Sequence, residues 1–440
     1  MSQYSTGGTN MLKPYNLEID KIRYYYDFCY DHYYGSNGML DGTYLYKYPR
    51  ELDYPSRLKM STYLNLIKPI VDSTITPVFS ELAVRESNNL IYDAFTQDVD
   101  TNNTLLQTKV KNILTMSELL GTCFVVMDNF GDLDSMSQGE VIETRLYPYI
   151  YIQLPQSVVD YEVDEFGKLI DITFIHSVDE ANNLVYKNWT HSNIQSYYYT
   201  TDAKGTKTKI MKSSIEHALG VLPVIQVKSS TMDYTLPIPP YYDLCQLNNS
   251  IYNLKSEIRD LERTQSFSIL VLPGTEPDTD ITVGNSNVIY VDQDSTQFPA
   301  YISPDSSILS TLQDCINSDI DHLLKNADIL GSTSLSLGSG NESGVSKAYT
   351  FAGQNYKLLS NSMIATAIET RISYLFGLFI KQDIVSTVAY PTNFQPSSTE
   401  LQYQLDTFDD ILKNFGDGMS EDSKNSIYKS IDIIVAKLIS

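Results

Sequence analysis

Two long apolar-striped helices enclosing a short β segment constrain this chain more than any other feature. Leu244, Leu247, Ile251, Leu254, Ile258 and Leu261 recur at spacings of 3-4-3-4-3, the a/d pattern of a helix packed lengthwise on another helix. Asn249, Asn253, Ser256 and Asp260 fall opposite that stripe. At ~1.5 Å per residue a helix over 244–265 would run roughly 33 Å. Pro237, Pro239 and Pro240 precede it as a hinge. After it the pattern changes to strand over 267–272, a Pro273-Gly274 turn, a polar loop, then Val288-Ile289-Tyr290-Val291. Ile308, Leu312, Ile316, Ile320 and Leu323 restore helical spacing over 306–325.

The flanking segments are simpler. Residues 1–60 are rich in tyrosine, with a helix over 20–34. Tyr suits both a contact surface and a half-buried packing layer, and the sequence favours neither. Leu64, Ile67, Val71 and Ile75 mark a helix face interrupted by Pro69 and Pro77. Leu106, Val110, Ile113 and Leu120 predict a helix over 104–120, with Gly121 where a C-terminal cap belongs. Cys123–Met127 reads as a buried strand, and 146–228 as an antiparallel sheet with strands at 149–152, 170–176, 185–189 and 196–200. The fold class is therefore α+β. Beyond the second striped helix, 329–344 is Gly/Ser-rich and nearly uncharged. A long helix over 346–384 follows, with Gly353 and Gly377 as bend points. Two amphipathic helices end the chain, one carrying Leu401, Leu405, Phe408 and Ile411, the other Ile427, Ile431, Ile434 and Leu438.

Chemistry is harder to find. Five histidines show no metal-site spacing, and no nucleophile elbow or Walker loop is present. The run Gly338–Lys347 has Val345 and Ser346 where a phosphate loop needs Lys then Ser or Thr. Asp128-Asn129-Phe130-Gly131-Asp132 lacks the terminal glutamate of a calcium loop and reads as a polar turn. Neither catalytic residue, metal nor cofactor is expected. Cys29, Cys123, Cys245 and Cys315 are far apart in sequence and read as small buried residues in a reducing compartment. The N-terminus lacks a signal-peptide pattern, and no apolar run approaches a membrane span, so no membrane partner is expected. Acidic residues outnumber basic ones 54 to 31, a net charge of −23, which argues against a surface that grips nucleic acid.

The order of parts resembles a tailed-bacteriophage portal protein over roughly residues 57–385. The fragments that carry the resemblance are Tyr63-Leu64 with Ile67–Asp72, Leu119–Asp128, and His217-Ala218-Leu219-Gly220-Val221-Leu222-Pro223-Val224-Ile225. Residues 240–265 and 267–274 follow in the same order. The resemblance implies a wing at 1–235, stem helices at 236–265 and 303–328, and a small β clip at 266–302. A tunnel loop would lie at 329–345, a long kinked wing helix with its connection at 346–396, and a short helical crown at 397–440.

It also implies a head–tail connector: a twelve-subunit ring at one capsid vertex of the virion, assembled in the host bacterial cytoplasm. Double-stranded DNA would be packaged and ejected through it without sequence specificity. Its partners would be the terminase large subunit, head–tail adaptor and tail proteins, and the major capsid protein and scaffold. Leu247, Ile251, Leu254, Ile258, Leu261, Leu312 and Ile316 would pack the stem. Ser332, Ser334, Leu335, Ser336, Leu337, Ser339 and Asn341 would face DNA, and Glu276, Asp278 and Asp280 would face terminase or the adaptor. Residues 236–330 hold fourteen Asp or Glu against four Lys or Arg, suited to a wall along which phosphates slide. The rival readings are another virion structural protein, such as a tail or baseplate component that threads no DNA, and a glycan-active enzyme using paired carboxylates.

Overall fold

The computed structural model describes residues 19–49, 51, 53–129, 136–201, 207–229, 235–265, 269–273, 288–291, 300–302, 307–329, 344–392, 394, 408, 412–413 and 421–439. Helices α1 (Ile19–Tyr34), α2 (Tyr54–Met60) and α3 (Ile67–Ile75) open it, followed by β1 (Val84–Ser87), α4 (Leu90–Gln97) and α5 (Leu106–Leu120). The prolines that interrupt the apolar face near residue 70 bound α3 rather than break it. Pro69 lies in its first turn, where no intrahelical donor is needed, and Pro77 follows its end. Val110, Ile113, Leu114 and Leu120 turn α5 inward and are fully buried.

Gly121 ends α5 in the left-handed region, φ +80°, as the cap position demands. A side chain there would also press within 3.0 Å of Pro237 and 3.2 Å of Pro240. The proline segment expected to act as a hinge is accordingly packed. Leu236, Pro237 and Pro239 are buried, and the Pro237 carbonyl accepts a 2.6 Å bond from the Tyr26 hydroxyl.

The apolar run after Gly121 forms β2 (Thr122–Asp128), buried along almost its whole length. It lies between β3 (Tyr149–Gln153), reached through the short α6 (Gln138–Glu143), and β9 (Val224–Lys228). Both pairings are antiparallel, with Val126 opposite Tyr151 and Val224. A five-stranded meander runs in chain order through β4 (Val158–Val163), β5 (Leu169–Val178), β6 (Leu184–Trp189), β7 (Asn193–Thr201) and β8 (Lys207–Glu216). One cross-strand row, Tyr161–Ile172–Trp189–Ile194–Ile215, traverses it. Phe174 of β5 meets Phe124 of β2 edge-on, with ring centroids 5.4 Å apart, joining the two sheets. The strand patterns near 150, 173, 187 and 198 hold, while β4 and β8 have no clear signature in the sequence.

The two striped helices are α7 (Tyr242–Gln265) and α8 (Ser307–Ile329), and they pack on each other. Between them β10 (Ile269–Pro273), β11 (Val288–Val291) and β12 (Ala300–Ile302) form a small sheet in the order β11-β10-β12. Pro273 stays in β10, opposite Val291, and β10 runs parallel to β11, so the link between them is a crossover and not a hairpin. Helix α9 (Gly344–Ile380) is one helical span against α3 and α5, and the chain returns through β13 (Ser386–Ala389) to pair antiparallel with β1. Gly377 marks the reversal: a Cβ there would sit 2.7 Å from the Gln382 carbonyl. Within α9, Asn355–Ile380 is long and apolar enough to cross a membrane by length and composition, and half of its most apolar window is buried inside the chain. Residues 1–390 form one compact unit and 391–440 a second, in which α10 (Glu421–Ile439) supplies the last amphipathic helix. Of the helix expected before it, only Phe408, Leu412 and Lys413 are described, all helical.

Candidate functional site

The described part of the candidate apparatus is the α7/α8 pair and what holds it. On the stripe, Ile251 is fully buried and Ile316 nearly so, while Leu247, Leu254, Ile258, Leu261 and Leu312 are half-buried. The DNA-facing candidates Ser332, Ser334, Leu335, Ser336, Leu337, Ser339 and Asn341 lie outside the described residues. So do Glu276, Asp278 and Asp280. Cys315 proves exposed, unlike the other three cysteines; it sits one residue before the buried Ile316, about 100° round the helix.

Sequence reasoning missed the opposite face of α7. Asn248 and Ser256 are fully buried there and Asn253 half-buried, because the Tyr-rich N-terminal arm folds over them. Asn248 is fully buried: its Oδ1 accepts from the Leu66 amide (3.1 Å) and its Nδ2 donates to the Leu64 carbonyl (3.0 Å). Asn253 repeats the device one turn on, accepting from the Tyr46 amide (2.7 Å) and donating to the Tyr44 carbonyl (3.0 Å). The Tyr252 hydroxyl donates to the Met39 carbonyl, and Ser256, also fully buried, accepts from Arg57. Each asparagine thus pairs one donor and one acceptor of an irregular backbone that would otherwise be unsatisfied.

Arg57 is the centre of this joint. Only 3% exposed, its guanidinium grips both oxygens of Glu51 (2.6 and 2.8 Å), the Ser256 hydroxyl (3.0 Å) and the Tyr46 carbonyl. The Tyr48 and Tyr54 rings lie 5.6 and 5.5 Å from it. The hydrogen bonds from Arg57 hold the Glu51 carboxyl below the usual carboxylate range. A bond to Glu257 raises the Tyr48 hydroxyl to about 12. An open cleft of 680 Å³ beside the joint is lined by Tyr48, Pro49, Glu51, Arg57, Glu257, Asp260 and Leu261. Its arginine is already committed to Glu51, so among the described lining residues no cation is left to take an anion.

Deeper in the arm, His32 is fully buried among Phe28, Tyr44 and Tyr63, with ring centroids 4.1, 5.2 and 5.7 Å away. Burial lowers its pKa to about 4, against weaker opposing effects from the Phe28 carbonyl, Asn249 and Asp31. The imidazole is therefore neutral and donates Nδ1–H to the Phe28 carbonyl.

Two buried carboxylates fix α9. Glu118 of α5 takes Lys357 of α9 (2.7 Å) and the Tyr241 hydroxyl (3.1 Å), tying α9 to the start of α7. Glu369 of α9 takes Arg85 of β1 through both oxygens (2.6 and 2.9 Å) and the Tyr390 hydroxyl after β13. Among the described residues no group of three or more His, Cys, Asp or Glu is placed to hold a metal ion. The sequence signal for the joint lay in the asparagines at 248, 249 and 253, too many amides for a helix face meant only for water, and in the clustered tyrosines at 44, 46 and 48.

No protein-family model matches the sequence, and no curated protein matches it. Solved structures resemble it in part, among them two chains from gene transfer agent (GTA) particles. A chain from the neck of an empty GTA particle, computed with C6 symmetry, aligns with TM-score 0.35 at 8% identity, covering 82% of this chain and 88% of that one. A chain from the virion of a native gene transfer agent (GTA) particle aligns with TM-score 0.34 at 9% identity, covering 91% and 98%. Superpositions this loose assign neither fold nor function.

Proposed function

We propose that the chain is the portal subunit of a phage-like particle. Twelve copies would close a ring at one vertex, through which double-stranded DNA enters and leaves. The observation that carries this reading is the pairing of α7 with α8 around a three-stranded sheet. A long two-helix stalk bearing a small β tip is a poor way to enclose a catalytic pocket and a good way to line a passage. The acidic excess of the segment supports it, because a wall of like charge lets phosphates pass without making contacts that must be broken. On this reading the clip carrying Glu276, Asp278 and Asp280 meets the terminase large subunit and later the head–tail adaptor. The segment with Ser334 and Ser336 meets DNA, and the outer surface meets capsid protein and scaffold.

Negative-stain images of the purified protein test the ring, with twelve-fold symmetry expected. Packaging by proheads carrying Ser334→Lys with Ser336→Lys tests the passage. Translocation should slow, most at low salt, because each added lysine makes a phosphate contact. Rings whose double variant packages at the normal rate at low ionic strength would instead fit a virion component that threads no DNA.

A further inference from the structure

The turn that leads the arm out of α1 contains the chain's single Asn-Gly pair, Asn37-Gly38. Gly35 (φ +64°) ends α1, and Asn37 (φ +42°) is also left-handed, opening one 3-10 turn over Asn37–Met39. The asparagine side chain is exposed yet tethered: its Nδ2 donates to Asp31 Oδ1 at 3.0 Å. Gly38 is buried, and a Cβ there would lie 2.2 Å from the Tyr44 ring, so no other residue fits. Its N–H has no acceptor among the described residues. Ser36 makes no side-chain cap bond, and no backbone carbonyl receives that N–H.

We propose that Asn37 is a site of spontaneous deamidation, and that its conversion loosens the joint between the arm and α7. The Gly38 nitrogen, having given its proton to hydroxide, attacks the Asn37 Cγ. The new N–Cγ bond closes a five-membered succinimide, the Cγ–Nδ2 bond breaks, and ammonia leaves with a proton from water. Water then opens the ring at either carbonyl, giving aspartate or isoaspartate. Solvent supplies every reactant, and the missing side chain of Gly38 leaves the approach to Cγ unhindered. The site is the same whether or not the chain forms a ring.

Either product puts a carboxylate where a donor stood. Asp31 is only 8% exposed and already accepts from the Tyr44 hydroxyl through Oδ2 (3.0 Å). The new charge would face a buried like charge in place of a hydrogen bond, which both carboxylates resist. Isoaspartate also adds a methylene to the main chain, beside a glycine packed tightly on Tyr44. The same short stretch holds α7. The carbonyl of Met39 receives the Tyr252 hydroxyl, and the carbonyl of Tyr44 receives Asn253. A disturbance at residue 37 therefore reaches the backbone groups on which α7 is seated.

Incubation of the full chain at pH 9, followed by tryptic mass mapping, decides it. Asn37 is the only Asn or Gln in the tryptic peptide 24–47, so the one-dalton gain of amide to acid on that peptide reports this site alone. The folded protein should gain it within tenfold of the rate of the urea-unfolded chain, and faster at pH 9 than at pH 6. After return to pH 7, hydrogen exchange at the Tyr46 amide, which Asn253 of α7 holds at 2.7 Å, should quicken as the converted fraction rises. Asn37→Gln closes the ring far more slowly and should show neither change, while Asn37→Asp should exchange faster than wild type before any incubation. A folded chain more than tenfold slower than the unfolded one overturns the site. Conversion with unchanged exchange at Tyr46, or an Asn37→Asp variant that exchanges as wild type does, overturns the link to α7. The same quickening in incubated Asn37→Gln overturns that link as well.

Discussion

The core built on α5, β2 and α9 and the joint between α7 and the N-terminal arm are both buried, but they are buried by different chemistry. The core is apolar, from Val110 and Ile113 through Phe124, Val125 and Val126 to Phe376, and its charges are confined to the carboxylates Glu118 and Glu369 with their partners. The joint is polar: Asn248, Asn253, Ser256 and Arg57 spend their hydrogen bonds on irregular backbone and on one another. An apolar core tolerates repacking so long as volume is kept, whereas a polar joint is specific, since each unmatched group costs its full desolvation. The arm therefore holds α7 in one register, a property the proposed ring would need.

The largest effect should come from the charges inside the apolar region. Arg85→Met leaves Glu369 buried with only the Tyr390 hydroxyl, and removing one partner of a buried ion pair costs about 3–5 kcal/mol. Urea unfolding of the full chain should register that loss, and Glu369→Gln in the same chain should return most of it. If the double variant is no more stable than the single, the pair is not the reason for the loss.

How much of this was open to sequence reading follows the same division. Regular apolar spacing located α5, α7 and α8, and the run after Gly121 located β2, because transfer of apolar groups from water depends little on which partner covers them. The joint was hidden because Ser256 and Asn253 read as water-facing until the arm's backbone is known to lie on them. Edge strand β8 was hidden for the converse reason: Lys209-Ile210-Met211-Lys212 is exposed on both faces, so no two-residue alternation marks it. Pro237 and Pro240 read as a hinge because their packing against Gly121 depends on a residue more than a hundred positions away. The loop candidates from Ser332 to Asn341 and the clip acids remain readings of the sequence.

Acid should loosen the polar joint before the apolar core. His32 titrates near 6.5 in the unfolded chain and at about 4 when folded, so between those values the unfolded state binds more protons and stability rises with pH. The contribution is whole above pH 6.5 and is lost as pH falls towards 4, about 3 kcal/mol in all. Asp27, whose carboxyl is raised chiefly by burial and then by Asp31, acts in the opposite sense. The measurement is therefore the difference between wild type and His32→Asn across that window. Parallel stability curves from pH 7 to pH 4 would show that His32 does not couple the joint to pH.

A smaller effect separates the two faces of α7. Asn248→Leu keeps the branched shape but strands the Leu66 amide and the Leu64 carbonyl, costing about 2 kcal/mol. Leu247→Asn, one residue away on the half-buried stripe, should cost the isolated subunit less, because the side chain keeps access to water. Chemical denaturation of the monomeric form ranks the two, and the reverse order would mean that the apolar stripe, not the amide face, seats α7.

The smallest expected effect concerns an ion pair that crosses the joint among the described residues. Arg263 near the end of α7 reaches Asp53, ahead of α2, at 2.9 Å, and also Asp260 at 3.0 Å. Spanning more than two hundred residues, this bridge is an attractive explanation for how the arm holds the helix. Yet both side chains of the Arg263–Asp53 pair stand well into solvent, 38% and 50% exposed, where ordering two long side chains offsets most of the Coulomb gain and salt screens the rest. Asp260 also competes for the same guanidinium. Arg263→Ala should therefore melt with wild type at physiological salt, and any difference at low salt should disappear on adding sodium chloride. A clear loss that persists in high salt would place the grip of the arm in this pair and take it from Asn248, Asn253 and Arg57.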